Sequence, residues 1–263
     1  MLAVRDLEVR FTDRHVTDEA VRDVSFEMAT GEILGIVGES GSGKSVTARA
    51  IMGLLRGYPA EVSGQILFEG QDLLTLSGEQ MRKLQGKRIS MVFQEPKSAL
   101  NPLMKVGRQV EEGLRIHSSG DKAERRALAL EMMAAMELSD PVRVYSQYPH
   151  ELSGGMRQRA MLAAALITEP RLLICDEPTT ALDVRTQTQI LALLQRVSAD
   201  REMGILFISH DLQVIHTLCR RAIVMQEGLI VEQGDVETLF TSPREAYTQK
   251  LLDSIPGRGR RRE

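Results

Sequence analysis

Apolar residues recur along this chain at two different periods. Leu2–Phe11 and Ala20–Met28 alternate apolar with polar positions, which predicts two β-strands joined by a polar loop over Thr12–Glu19. Glu32–Gly38 is a continuous apolar run closing on glycine and Ser45–Leu55 has helical composition, so strand, glycine-rich turn and helix follow one another. Gly64–Glu69 and Ile89–Phe93 read as a further strand pair. From about 96 to 155 the period becomes helical, with charged faces at Val106–His117 and Lys122–Leu138, and marks an inserted helical lobe. Helix Met156–Ile167, strand Leu172–Cys175, helix Thr186–Arg201, strand Ile205–Ile208 and helix Leu212–Arg220 then alternate. That order predicts an α/β fold: a mainly parallel sheet, an antiparallel β edge and the helical insertion.

Composition narrows the partners. With 263 residues and 43% apolar content the chain is long enough for a large packed domain. Lys and Arg number 33 against 36 Asp and Glu, a net charge of -3, which is no footprint for nucleic acid. Cys175 and Cys219 lie far apart, which argues against a disulfide framework and fits a reducing cytosol. Met1–Arg10 lacks the basic start and apolar run of a signal peptide. The longest apolar stretches, Met161–Ile167 and Leu172–Cys175, fall far short of the ~20 residues that cross a bilayer. A soluble chain is expected, held at any membrane by another protein. The arginines at 258 and 260–262 read as a solvated end, with anionic lipid or RNA contact the minority reading.

Three segments carry chemistry. Gly38-Glu-Ser40-Gly41-Ser42-Gly43-Lys44-Ser45 falls between a predicted strand and a predicted helix that continues with Val46. Its glycines let successive N–H groups turn inward at a helix N-terminus, a concave anion site. Lys44 can reach the β- and γ-phosphates of a nucleotide and the Ser45 hydroxyl can ligate Mg²⁺. Leu172–Glu177 is an apolar run closing on two acids, which places Asp176 at a strand's C-terminal end, where ligands sit in open α/β sheets. Asp176 would hold Mg²⁺ through its water shell and Glu177 would activate the attacking water. Leu152-Ser153-Gly154-Gly155 sets a capping serine and two glycines before the helix Met156–Ile167, a second helix end suited to an anion.

With these three in order, the chain resembles the nucleotide-binding subunit of an ABC transporter, and Leu152–Arg159 is similar to that family's signature motif. The resemblance implies a P-loop NTPase (RecA-like) core that binds ATP and Mg²⁺. It also implies roles for residues that mean little alone. Gln94 resembles the Q-loop glutamine that senses Mg²⁺ and attacking water. Asp183, in Ala181-Leu-Asp, resembles the D-loop, and His210 the switch histidine at the γ-phosphate. An aromatic upstream of the P-loop commonly stacks on adenine in this family; Phe11 is the candidate, with His15 the alternative and a core strand role the competing reading for Phe11. The family forms head-to-tail sandwiches, each signature covering the phosphate bound by the other chain's P-loop.

Gly38–Ser45, Phe93–Pro102, Tyr148–Arg159 and Asp176–Asp183 resemble the oligopeptide, dipeptide and nickel importer subfamily. That implies a second ATP-binding subunit, with a hetero-pair favoured over a homodimer, two membrane-spanning permease subunits and an extracytoplasmic solute-binding protein. The chain would sit peripherally on the cytoplasmic face, residues 1–235 forming the nucleotide-binding domain and 236–263 a C-terminal helix and basic tail. Many peptide-importing relatives continue past a segment like Tyr247–Leu252 into a cysteine-bearing extension, so its absence here keeps nickel or metallophore complexes open as cargo beside peptides. Cys175 stands where the family often has alanine. A soluble non-transport ABC ATPase is the alternative, although coiled-coil arms, zinc cysteines and a second cassette are all missing.

Overall fold

The structure, a computed structural model, describes residues 1–13, 16–93, 100–118, 120–180 and 182–255. It divides into two compact units, Met1–Met81 with Gly204–Glu263, and Arg82–Met203.

The first unit opens with strands β1 (Leu2–Asp13) and β2 (Val16–Met28), paired antiparallel from Leu2 opposite Met28 to Asp13 opposite Val16. The polar stretch read as a loop over Thr12–Glu19 is therefore mostly strand. β2 is an edge of its sheet, Asp18 and Glu19 on it are exposed and so compatible with β-structure, and Glu19 pairs with Arg10 across the two strands at 3.0 Å. β3 (Ile33–Val37) precedes the helix Lys44–Ile51, and β4 (Ala60–Phe68) pairs with β1 and with the short β5 (Gln71–Asp72). Leu7, Val9, Val21, Val24 and Ile66 are buried on this sheet.

In the second unit β6 (Ile89–Val92) lies parallel to β7 (Leu172–Asp176), with Val92 opposite Cys175. Gly64–Glu69 and Ile89–Phe93 are thus not partners: the first belongs to β4 and the second to β6, because short apolar runs carry no signal of which strand they meet. Among the described residues the predicted helical lobe contains helices Val106–Val110, Glu112–His117, Lys122–Ala135 and Pro141–Ser146. Helix Gly154–Leu166 follows a 3₁₀ turn at Pro149–Glu151, and helix Val184–Arg201 completes the unit.

Arg159 joins three of these helices. Arg159 is 8% exposed, and its guanidinium donates to the Met136 carbonyl at 2.9 Å, to Glu137 at 2.8 Å and to Gln189 at 3.2 Å. Glu137 also pairs with Arg196 at 3.1 Å, and these two guanidinium bonds hold its carboxyl below the usual carboxylate range. A depressed folded-state value stabilises the fold above the unfolded one, and that stabilisation is lost as pH falls through the folded value. Arg159→Ala leaves a buried carbonyl without its donor and is expected to destabilise this unit by about 2–4 kcal/mol, measured as a lowered urea midpoint.

The chain then returns to the first unit. β8 (Gly204–Ser209), β9 (Arg221–Gln226) and β10 (Leu229–Asp235) build a sheet in the order β10-β9-β3-β8, with β3 parallel to both β8 and β9. Helices Leu212–Leu218, Val236–Thr241 and Ala246–Asp253 complete it. No described helix is long and apolar enough to cross a membrane.

Candidate functional site

β3 delivers the glycine-rich loop. Gly38 follows Val37, and a Cβ on Gly38 would lie 2.1 Å from the Met225 carbonyl oxygen of β9 and 2.7 Å from Ser42 Oγ. Only glycine lets the loop lie this close to the neighbouring strand. Gly43, at φ 98°, caps the helix Lys44–Ile51 without any side-chain bond to its first turn. No side chain thus caps that N-terminus, the kind of helix end that suits an anion. Ser42 and Lys44 are buried, Ser45 and Val46 half-buried in the first turn, and Ser40 and Gly41 exposed at the tip.

Lys44 Nζ lies inside the loop. It donates to the carbonyls of Gly38 at 2.8 Å and Glu39 at 2.7 Å and to Ser42 Oγ at 3.1 Å. These three bonds hold the ammonium against the loop, where a phosphate would meet it. From behind, the Gly228 N–H donates to the Ser42 carbonyl at 3.2 Å, and the Arg22 N–H to the Gly228 carbonyl at 2.8 Å. The turn between β9 and β10 thereby ties the loop to β2.

The register Val37 opposite Ser209 places His210 beside Gly38, at the same C-terminal edge of two paired strands. His210 is exposed, and Asp211 after it caps the helix Leu212–Leu218 by accepting from the Gln213 N–H at 2.8 Å. Phe11 is half-buried on β1, between Asp18 and Ala60 in register. His15 lies outside the described residues.

In the second unit β7 is buried throughout, and Asp176 ends it at 3% exposure. Glu177 follows in the left-handed region, φ 47°, an uncommon conformation for a non-glycine residue. Its Oε2 accepts from Thr180 Oγ1 at 3.0 Å, so Thr180 fixes the carboxylate that the sequence singled out. The only sequence signal for Thr180 was a hydroxyl three residues further on. Thr180→Val removes that bond to the carboxylate and is expected to lower kcat several-fold with little change in KM for ATP, as steady-state phosphate release would show. Gln94 lies outside the described residues. Phe93, one residue past the Val92–Cys175 pair, is described and exposed.

The second helix end is also built as expected. Ser153 Oγ accepts from the Met156 N–H at 3.3 Å and caps the helix Gly154–Leu166, while Gly154 faces open space. Gly155 does not: a Cβ there would lie 2.8 Å from Thr186 Cγ2. Thr186 in turn bonds the Asp183 carboxylate through its N–H at 2.9 Å and its Oγ1 at 2.7 Å. The backbone and then the side-chain bond from Thr186 hold the Asp183 carboxyl below the ordinary range. Ser153–Gly155 and Asp183 are therefore linked through one threonine. Ala181 lies outside the described residues.

These loops and strand ends follow one another in the order expected of a nucleotide-binding cassette. The family model described as ABC transporter matches residues 21–180. The chain belongs to the ABC transporter family. This ABC chain is 48% identical over its whole length to the "Probable peptide ABC transporter ATP-binding protein y4tR" of Sinorhizobium fredii, covering 79% of that protein. It is 46% identical over 97% of its length to the dipeptide transport ATP-binding protein DppD of Haemophilus influenzae, covering 78% of it. It is equally similar to the oligopeptide transport ATP-binding protein OppD of Bacillus subtilis, 46% over 97% of the chain and 72% of the relative. Among solved structures, the dimeric ABC transporter cassette MJ0796 superposes at a TM-score of 0.81 and 27% identity, over 90% of this chain and 99% of that one. A post-hydrolysis form of MJ0796 bound to ADP and Pi superposes equally well. The fold is that of an ABC ATPase cassette, and the ABC chain is an ATP-binding ATPase.

Proposed function

We propose that this chain energises an ABC importer for oligopeptides or dipeptides. The observation that carries this reading is the 48% identity, over the whole chain, to a relative named for peptide transport. Relatives named for dipeptide and oligopeptide transport support it at 46%. In this reading the chain pairs with a second, different ATP-binding subunit and docks peripherally, at the cytoplasmic face, on two membrane-spanning permeases served by an extracytoplasmic solute-binding protein. Residues 1–235 act as the nucleotide-binding domain and 236–263 as its C-terminal appendage.

Roles follow from the chemistry of each residue. Lys44 and the first N–H groups of its helix take the phosphates of ATP, and Phe11 is the candidate for adenine. Ser45 and Asp176 offer hard oxygen donors of the kind Mg²⁺ prefers, and Gln94 is assigned the same role from the family resemblance. Mg²⁺, when bound with ATP, supplies charge neutralisation at the β- and γ-phosphate oxygens. Glu177 takes a proton from the attacking water as the water oxygen bonds the γ-phosphorus; the bond from the β,γ-bridging oxygen to that phosphorus breaks, the electron pair leaves with ADP, phosphate is released, and His210 donates to the γ-phosphate. Ser153, Gly154, Gly155 and Asp183 serve the nucleotide of the partner cassette.

Affinity purification of the tagged chain from solubilised membranes, with ATP present, tests the assembly. Recovery of two permeases, a second ATP-binding subunit and a peptide-loaded solute-binding protein is expected. A nickel- or metallophore-loaded binding protein would replace the proposed cargo. An ATP-hydrolysing preparation with no permease would overturn the transport reading.

A further inference from the structure

One P-loop residue, Glu39, is gripped at every polar group it has. Its carbonyl accepts from Lys44 Nζ at 2.7 Å and from the Ser42 N–H at 3.2 Å. Its N–H, however, donates to the Tyr247 hydroxyl at 2.9 Å, and its carboxylate pairs with Lys250 at 3.2 Å. Both latter residues belong to the helix Ala246–Asp253, more than 200 positions further along the chain. Tyr247 and Lys250 lie three residues apart, on one face of that helix, so both reach the same residue.

The helix is itself anchored. Thr248, Leu251 and Leu252 are buried, and the Glu232 carboxylate of β10 accepts from the N–H groups of Arg244 and Glu245, at 2.9 and 3.3 Å, at its entry. Burial, first, raises the Tyr247 phenol above its ordinary range, so it stays neutral at physiological pH and offers a lone pair to Glu39.

We propose that Tyr247 is a positioning residue for ATP: through the Glu39 N–H it fixes the first turn of the P-loop, and so the carbonyls that aim Lys44. Lys250 adds a weaker, solvent-exposed contact, both side chains being more than half exposed. The loop's shape is thus set from the C-terminal segment as well as from the neighbouring strands. The inference rests on the P-loop being the nucleotide site and is independent of cargo.

Tyr247→Phe removes one hydroxyl and leaves Thr248, Leu251 and Leu252 to hold the helix. Hydrogen exchange of the nucleotide-free full chain is expected to show the Glu39 amide about 5-fold less protected, the worth of one bond of about 1 kcal/mol. ATP binding, read from fluorescence of a labelled ATP without Mg²⁺, is expected to weaken about 3- to 10-fold, and KM to rise by a similar factor with kcat within about two-fold. Lys250→Met is expected to weaken binding less than about two-fold, and in a Glu39→Gln background to have no effect, whereas Tyr247→Phe keeps its effect there. Unchanged Glu39 exchange and ATP affinity in Tyr247→Phe overturn the inference, as does a fall in kcat with KM intact. Lys44→Ala separates the two failures: if that variant binds ATP like the parent, it is the P-loop reading that fails.

Discussion

Replacing Glu177 by glutamine is expected to lower ATP turnover by about 10²–10⁴-fold while ATP affinity stays within about two-fold of the parent. The carboxylate sits one residue past a fully buried strand, in a left-handed conformation at φ 47°, and Thr180 holds its Oε2 at 3.0 Å. Such backbone strain persists only where the surroundings over-determine it, and here it presents the side chain past the end of the sheet. Glutamine keeps the size and one acceptor for Thr180 but cannot take a proton from water. Nucleotide should therefore bind, stay intact and hold paired cassettes closed, which light scattering in the presence of ATP would record as a stable dimer. Single-turnover phosphate release gives the rate, and a parent-like rate would remove Glu177 from its role.

Lys44→Met is the second large effect, and it differs in kind. Charge-assisted hydrogen bonds are each worth about 1.5–3 kcal/mol, so losing the ammonium is expected to weaken ATP binding on the order of 100-fold. A further cost is specific to this loop. Nζ bonds the buried Gly38 carbonyl and shares the Glu39 carbonyl with the Ser42 N–H, so its removal takes a donor from each and is expected to cost about 1–3 kcal/mol of stability, chiefly at Gly38. Calorimetric titration should thus show lost affinity, and thermal denaturation of the nucleotide-free protein a lowered midpoint. Glu177→Gln is expected to lose turnover alone.

Much of the site was legible because its chemistry is local. The loop Gly38–Ser45, the acids at 176 and 177 and the cap at Ser153 each need a particular residue type at a particular turn or strand end, and sequence order supplies both. The P-loop lysine, the strand ending in Asp176 and the cap at Ser153 lie where the pattern put them, although the helix read as Met156–Ile167 starts two residues earlier, at Gly154. What escaped was long-range. β2 begins at Val16, amid polar residues, because pairing with β1 and ion pairs such as Arg10–Glu19 stabilise an edge that hydrophobic alternation does not mark. β9 and β10 went unread, although β9 lies against β3 and its Met225 carbonyl is what makes glycine necessary at 38. Thr180 and Tyr247 act through single hydroxyls, and Tyr247 does so across more than 200 positions, beyond any periodic signal.

The proposed function is tested most directly by ATP hydrolysis in proteoliposomes holding the co-purified permease complex, with purified solute-binding protein added outside, loaded with peptide or left empty. Peptide-loaded binding protein is expected to stimulate phosphate release several-fold over the empty form, and Glu177→Gln in this chain to abolish the stimulation. Stimulation by a nickel- or metallophore-loaded protein and none by the peptide-loaded one would contradict the peptide importer.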